Sequence, residues 1–209
     1  MEDSKCKICR RIGVKLFLKG EKCFGQKCPL VRKPYPPGPK TKRRLKAISE
    51  YGKELREKQK LKRWYNLEEK QFKNYVKKVL GARGKVEDAA ALLIKILESR
   101  LDNVVFRLGL ASSRKASRQL VSHRHILVNG KPIDISSYLV KKGDVIKIKP
   151  SSSKKNIFKN LPQVLKKYKT PSWLELSAQN LEGKVKDTPN LEEAAPPAEI
   201  SSIFEFYSK

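Results

Sequence analysis

The sequence predicts an α+β protein: a helical domain, a small α/β domain made of a helix pair and an antiparallel sheet, and a cysteine-bearing arm in front. Three observations carry this. Residues 50–106 hold charged segments whose apolar positions recur at helical spacing. Residues 112–134, SSRKASRQLVSHRHILVNGKPID, read as a capped basic helix running straight into a hairpin. All four cysteines fall within residues 1–42, a stretch too rich in glycine, proline and charge to build its own apolar core.

The arm closes with Pro34-Tyr35-Pro36-Pro37-Gly38-Pro39, a stiff connector. Lys40 to Lys46, KTKRRLK, is the densest positive run, either a solvated linker or a segment that orders on phosphates. The segment EYGKELREKQKLKRWY predicts a helix with Leu55, Leu61 and Trp64 as its sparse apolar positions. Asn66 is the candidate cap of the next helix. Glu68 and Glu69 in its first turn and Lys77 and Lys78 in its last match the helix dipole. Its buried stripe is Phe72, Val76, Val79 and Leu80, and Gly81 ends it. A third helix is predicted over Glu87–Phe106, with Asp102 in an intrahelical or interdomain ion pair.

Ser112 and Ser113 can cap the basic helix by accepting bonds from its open N–H groups. Ala116, Leu120 and Val121 share one face, while Arg114, Lys115 and Arg118 fall largely on the other. Ile126-Leu127-Val128 reads as a buried strand, and Asn129-Gly130 supplies the positive φ of a tight hairpin. Tyr138-Leu139-Val140 and Val145–Lys149 predict two strands around a Lys142-Gly143-Asp144 turn. Residues 151–155 read as a loop, 157–168 as a short helix, and 171–176 as a strand or packed turn. Residues 192–199 are flexible in composition, and the final apolar run 203–207 pairs back onto the body as a last strand.

Lys and Arg number 48 against 21 acidic residues, a net charge of +27. Such a charge strains a compact chain and calls for a neutralising partner. Nucleic acid fits best, because each phosphate contact releases counterions. An anionic membrane would require a long amphipathic helix or a lipidation signal, and neither is apparent. No secretory signal or membrane-length apolar run is visible, so the expected compartment is the cytosol or an organelle matrix. From residue 170 onward seven acidic residues outnumber three lysines, which suits protein contact better than RNA contact.

Cys6-x2-Cys9 and Cys23-x4-Cys28, thirteen residues apart, form a four-cysteine pattern. With each pair on a short turn, four thiolates can close a tetrahedron around a structural zinc. Lys5, Lys7, Arg10, Arg11, Lys22 and Lys27 would offset their charge. An iron–sulfur cluster is the rival cofactor. A catalytic zinc is not expected, since four cysteines leave no open position. His123 and His125 are the only histidines, and no cysteine or carboxylate beside them completes a triad. Neither a GxxxxGK[ST] nor a GxGxxG phosphate loop occurs. Neither an enzyme nor a small-molecule substrate is expected.

Residues 97–148, LESRLDNVVFRLGLASSRKASRQLVSHRHILVNGKPIDISSYLVKKGDVIKI, closely resemble the RNA-binding domain of the ribosomal S-four family, the fourth protein of the bacterial small subunit. That domain also occurs in pseudouridine synthases, a heat-shock RNA-binding protein and some tyrosyl-tRNA synthetases. The flanks are more specific: KGEKCFGQKCPLVRKPYPPG (19–38), LREKQKLKRWY (55–65), EKQFKNYVKK (69–78) and the terminal EFYSK (205–209) resemble the ribosomal family itself. The resemblance implies a helical domain with an inserted α/β domain, and a C-terminal segment returning to the helical part. It implies a primary binder of small-subunit rRNA that nucleates assembly at the 5′-domain junction. It also implies a place near the mRNA entry channel beside small-subunit proteins three and five, with influence on decoding accuracy. The four cysteines match the family's zinc-bearing subset. Two stretches differ from the family pattern, Pro39-Lys40-Thr41 and residues 189–200.

The resulting division is 1–42, a zinc arm and connector; 43–96, a helical rRNA-binding domain; 97–160, the inserted RNA-binding domain; and 161–209, a C-terminal segment with a protein-contact tail. Candidate RNA-binding residues are Arg10, Arg11, Lys42, Arg43, Arg44, Arg56, Lys58, Lys60, Lys62 and Arg63 in the first half. In the second they are Arg114, Lys115, Arg118, His123, Arg124 and Lys131. The competing readings are an rRNA-modifying enzyme, which lacks room for a catalytic domain outside 97–149, and a zinc-dependent transcription regulator, which would prefer duplex DNA. The expected location is the cytoplasmic ribosome of a bacterial-type cell, or an organelle's.

Overall fold

A computed structural model describes residues 5–38, 47–82 and 88–208. Lys42, Arg43 and Arg44, with the KTKRRLK run, lie outside the described residues. The chain forms two units, one of residues 1–90 with 196–209 and one of residues 91–195. The predicted 161–209 segment is therefore divided. Residues 161–195 complete the sheet of the second unit, and only the last stretch returns to the first.

The first unit opens with α1 (Lys5–Ile12), ended by Gly13 at φ 85°. A 3₁₀ turn (Gly20–Cys23) and α2 (Pro29–Arg32) follow. Leu16 is 1% exposed and is buried along with Cys9, Cys23 and Cys28, so the arm does own a small interior. Helix α3 (Glu50–Trp64) starts at Ser49, whose Oγ accepts from Gly52 N–H. It ends at Asn66, whose φ of 55° lets the chain turn back. Leu67 N–H reaches Lys62 O (3.0 Å) and Asn66 N–H reaches Arg63 O (3.1 Å), the paired closing bonds of a left-handed C-cap. Asn66 thus closes α3; it does not cap α4 (Glu69–Leu80), whose N-cap, Glu68, makes no side-chain capping bond. Phe72, Val76 and Val79 of α4 are buried, as the periodicity predicts, whereas Leu80 is only half-buried.

The second unit begins with α5 (Ala89–Glu98) and α6 (Leu101–Arg107), where a single helix was predicted. The break is at Arg100, which is extended (φ −68°, ψ 137°) and forms a β-bridge with Leu139. Leu101 N–H bonds Tyr138 O at 2.8 Å, and Val140 N–H bonds Ser99 O at 2.8 Å. Residues 138–140 are spent on this bridge, so they form no strand of the sheet. Asp102 pairs with the adjacent Arg100 (2.6 Å), both buried.

Helix α7 (Arg114–Ser122) is capped by Ser113, whose Oγ accepts from Ala116 N–H. It leads into β1 (Ile126–Val128), β2 (Lys131–Pro132) and β3 (Val145–Ile148). The hairpin turn has φ 49° at Asn129 and φ 80° at Gly130, as the Asn-Gly pair predicts. Residues predicted as a loop and one helix form α8 (Pro150–Ser153), a 3₁₀ turn (Asn156–Phe158) and α9 (Leu161–Lys166). Two further strands, β4 (Leu174–Ser177) and β5 (Glu182–Val185), complete an antiparallel sheet of order β2-β1-β3-β5-β4. Gly183 of β5 pairs with Ile146 of β3, and a Cβ there would lie 2.4 Å from Leu108 Cδ1 at the end of α6. Glycine is what lets α6 lie so close on the sheet. The core joins α6 and α7 to the sheet through Val104, Leu108, Val121, Ile126 and Ile146, with Phe158 and Trp173 at its edges.

Residues 192–199 are partly helical. Helix α10 (Leu191–Ala194) is closed by Ala195 at φ 41°. The predicted last strand is instead a helix, α11 (Ile200–Ser208), packed on α3 and α4. Its buried residues Ile200, Ile203 and Phe204 follow the three-to-four spacing of a helix face, which no strand satisfies. Among the described residues no helix is long and apolar enough to cross a membrane.

Candidate RNA interface and cysteine centre

Cys6 and Cys9 lie one turn apart on α1, not on a turn as the spacing suggested. Cys23 ends the 3₁₀ turn, and Cys28 precedes Pro29 at the start of α2. All four line one cavity of about 680 Å³, together with Lys5, Lys19, Lys22 and Lys27. Lys19 N–H donates to Cys23 Sγ at 3.3 Å. Burial pushes the Cys9 thiol up, and the other three cysteines push the same way, against a backbone hydrogen bond at Leu16 that lowers it. Four sulfurs around one cavity, with N–H donors and lysines at its edge, form a donor set that suits a soft tetrahedral metal. Among the described residues no three cysteine, histidine or carboxylate side chains are yet drawn together to ligand distance.

Of the predicted RNA-binding cations in the first unit, Arg10 turns to the chain itself. Its Nε donates to Lys33 O and Tyr35 O, both at 3.0 Å, and its guanidinium stands 4.9 Å from the Tyr35 ring centre. Arg10 thus ties α1 to the proline connector. Arg11, Arg56 and Arg63 are exposed. Lys60 pairs with Glu57 one turn away at 2.5 Å.

Lys58 and Lys62 face inward. Their Nζ atoms lie 2.7 and 2.6 Å from the two oxygens of Glu69 on α4. Lys58 also stands 4.3 Å from the Phe206 ring centre, and Tyr207 Oη donates to Glu69 at 3.0 Å. Glu69 therefore clasps α3, α4 and α11. Burial alone would raise its carboxyl, but the bonds from Lys58 and Lys62 outweigh it and hold the group at about 2. The sign follows. A carboxyl with a lowered folded pKa stabilises the fold above the ordinary value of 4.5 and loses that contribution as pH falls toward about 2. Glu69→Gln is expected to flatten the acid limb of unfolding over that window, followed by far-UV circular dichroism. An acid limb identical to the parent's would count against the clasp.

In the second unit, Lys115, His123, Arg124 and Lys131 are exposed and Arg118 is half-buried, along α7 and the hairpin after it. Arg124, at φ 57°, holds Asp134 at 2.7 Å across the hairpin. Arg114 is turned inward. Its Nε donates to Asn103 Oδ1 (2.8 Å), and its guanidinium lies 4.6 Å from the Phe106 ring centre. The face opposite the apolar stripe thus presents Lys115 and Arg118 but not Arg114. Sequence reasoning passed over Lys149, Lys154, Lys155 and Lys159, all exposed. Their signal, a run of lysines without an acidic residue, was masked by the serines read as a loop.

A family model described as "Ribosomal protein S4/S9 N-terminal domain" matches residues 1–98, and one described as "S4 domain" matches residues 99–146. The small ribosomal subunit protein uS4A of Bdellovibrio bacteriovorus is 47% identical over 209 residues, spanning 100% of this chain and 99% of the relative. The chain belongs to the ribosomal protein S4 family. Its similarity extends to uS4 of Caldicellulosiruptor bescii, 48% identical over 98% of this chain and 96% of that one. It extends also to uS4 of Thermotoga petrophila, 43% identical over 98% of this chain and 96% of that one. The two family matches meet between Glu98 and Ser99, at the break between α5 and α6. The S4 family is one of structural ribosomal proteins, so this member is not an enzyme and the rRNA-modifying alternative falls.

Proposed function

We propose that this chain is a structural constituent of the small ribosomal subunit and binds small-subunit rRNA directly, acting in the cytoplasmic ribosome. The observation that carries this reading is the α7–hairpin platform of an S4-family chain. A capped helix and a tight turn hold Lys115, His123, Arg124 and Lys131 exposed on a packed core. Cations fixed on such a frame capture phosphates and read the shape of folded RNA. Exposed Arg56 and Arg63 supply further phosphate contacts on the first unit.

The finer reading is that of a primary binder which nucleates assembly at the 5′-domain junction. It would sit beside small-subunit proteins three and five near the mRNA entry channel and contribute to translational accuracy. The excess of acidic residues beyond 170 favours protein contacts over RNA, although Glu175, Glu182 and Asp187 pair with lysines of the chain itself. Footprinting on naked small-subunit rRNA tests it. Protection confined to one multi-helix junction, lost steeply with salt, is the expected result. Scattered, salt-insensitive protection would reduce the protein to a general RNA binder.

The cysteine centre supports one structural zinc. Cys6, Cys9, Cys23 and Cys28 would hold it, and the metal would supply a cross-link between α1, the 3₁₀ turn and α2. An iron–sulfur cluster is the alternative the same four sulfurs could hold.

A further inference from the structure

We propose that residues 149–169 of the second unit form a further RNA-binding surface, built as an extension of the α7–hairpin platform. The inference rests on the rRNA-binding reading above and adds a second region of contact to it. Between Val145 and Leu174 the chain contains eight lysines and no aspartate or glutamate. Lys147 is neutralised by Glu182 at 2.6 Å. The other seven are exposed, and among the described residues none of them has a carboxylate partner. Elsewhere in this unit several surface cations are paired, among them Lys142 with Asp187 and Lys186 with Glu175.

The segment is held to the fold. Phe158 and Leu165 enter the core at 2% exposure each. Ser152 is buried, and its Oγ lies 2.9 Å from Nδ1 of His125. Lys149 N–H donates to His125 O at 2.9 Å, and the Phe158 ring meets the His125 ring edge-on at 6.1 Å. His125 follows directly on the exposed His123 and Arg124 at the end of α7. The lysine segment is thus fastened to the junction of α7 and β1. Burial, then Lys155, His123 and Lys149, all lower the pKa of His125, and no carboxylate opposes them. Cations crowded in this way repel one another until a polyanion neutralises them.

RNA fits this surface better than a lipid headgroup layer. Its exposed large hydrophobic residues are Ile157, Val164 and Tyr168, and α9 spans only Leu161–Lys166, too short for an apolar face to enter a bilayer. Asn156, Asn160 and Gln163 are exposed among the lysines and offer amides to 2′-hydroxyls. The surface also lies beyond residue 146, where the match to the S4 domain ends. It is an addition to that module.

The test replaces Lys149, Lys154, Lys155 and Lys159 together by Gln in the full chain. Affinity for a 5′-domain rRNA transcript is measured across a salt series. At 0.15 M salt the variant is expected to bind about 100-fold more weakly, with a salt slope smaller by about three, the effect of roughly three lost phosphate contacts. The same four positions changed to Arg should restore binding, and an unchanged melting temperature shows that the fold is intact. A Gln variant with parental affinity and slope, beside a weakened Lys115→Gln/Lys131→Gln variant, overturns the proposal and leaves the rRNA-binding reading standing. A parent chain that prefers unrelated RNA overturns both. A Gln variant that keeps its RNA affinity but loses binding to phosphatidylserine vesicles also overturns the proposal.

Discussion

Stripping the proposed zinc from the full chain, or replacing Cys9 with Ser, is expected to unfold residues 5–33 while leaving the second unit folded. The reason is the size of the arm's interior. Apart from Leu16, its buried side chains are Cys9, Cys23 and Cys28, so little apolar area opposes the entropy of ordering the segment. The proposed zinc would contribute an apparent ~10–16 kcal/mol of folding free energy, the range of structural zinc in small metal-folded peptides. Cys9 is the most revealing position, because its thiol is raised by burial and by three neighbouring sulfurs. Without a cation that crowding disfavours the thiolate; with one, it becomes the coordination shell. The expected readout is one zinc per chain by elemental analysis. Hydrogen-exchange protection in α1 and α2 should vanish on chelation, while protection in β1, β3 and β5 stays unchanged. Protection in α1 that survives complete metal removal would show that the arm folds on packing alone. Visible charge-transfer absorption with iron in place of zinc would point to the cluster.

Glu98→Ala should destabilise the second unit by about 3–5 kcal/mol, the usual effect of removing one partner from a buried charge pair. Glu98 is 1% exposed. Its carboxylate accepts from Asn103 Nδ2 (2.7 Å) and from Arg107 Nε and Nη2 (2.9 and 2.8 Å). Arg107 reaches on to Ala194 O, and Asn103 Oδ1 accepts from Arg114. One carboxylate therefore organises the end of α5, both termini of α6, the start of α7 and the end of α10. Its loss leaves a largely buried guanidinium without its counter-ion, and Asn103 Nδ2 and Arg107 are left with the backbone acceptors of residues 98 and 194. Urea unfolding of the full chain measures the effect. Removing Arg107 as well, in Glu98→Ala/Arg107→Met, should recover part of the loss, because no buried charge then remains uncompensated. A loss below about 1 kcal/mol in the single variant would mean that Arg107 swings out to water.

What could be read from the sequence, and what could not, divides by the range of the interaction. The Ser113 cap, the Asn129-Gly130 turn and the stripe of Phe72, Val76 and Val79 are local, and each stands where the residues place it. The break at Arg100 was not legible. Nothing between 87 and 106 forbids a helix; the residue that breaks it is Leu139, far along the chain. Strand β5 escaped because EGKV is short and carries a glycine that only the approach of Leu108 explains. The candidate RNA contacts show the same limit. Charge density alone marked Lys58 and Lys62 as candidate RNA contacts, but their partner, Glu69, sits on the next helix. Arg114 was placed on the basic face, and its acceptor, Asn103, belongs to α6. A cation's role depends on the nearest carboxylate or amide in space, which spacing along a helix does not reveal.

The discontinuity of the first unit has a consequence for how the chain is made. A chain emerges from its N-terminus at roughly 5–20 residues per second. Helices α3 and α4 appear early, yet the helix that packs on them, α11, comes only after the whole of residues 91–195. For several seconds of synthesis the inserted unit can close on itself while its host stands open, with the apolar faces of α3 and α4 uncovered. Any product cut short before Ile200 keeps that open face permanently, lacks the Tyr207–Glu69 fastening, and is a natural target for proteolysis. The packing of α11 thus makes closure of the helical unit wait on the translation of residues 200–208.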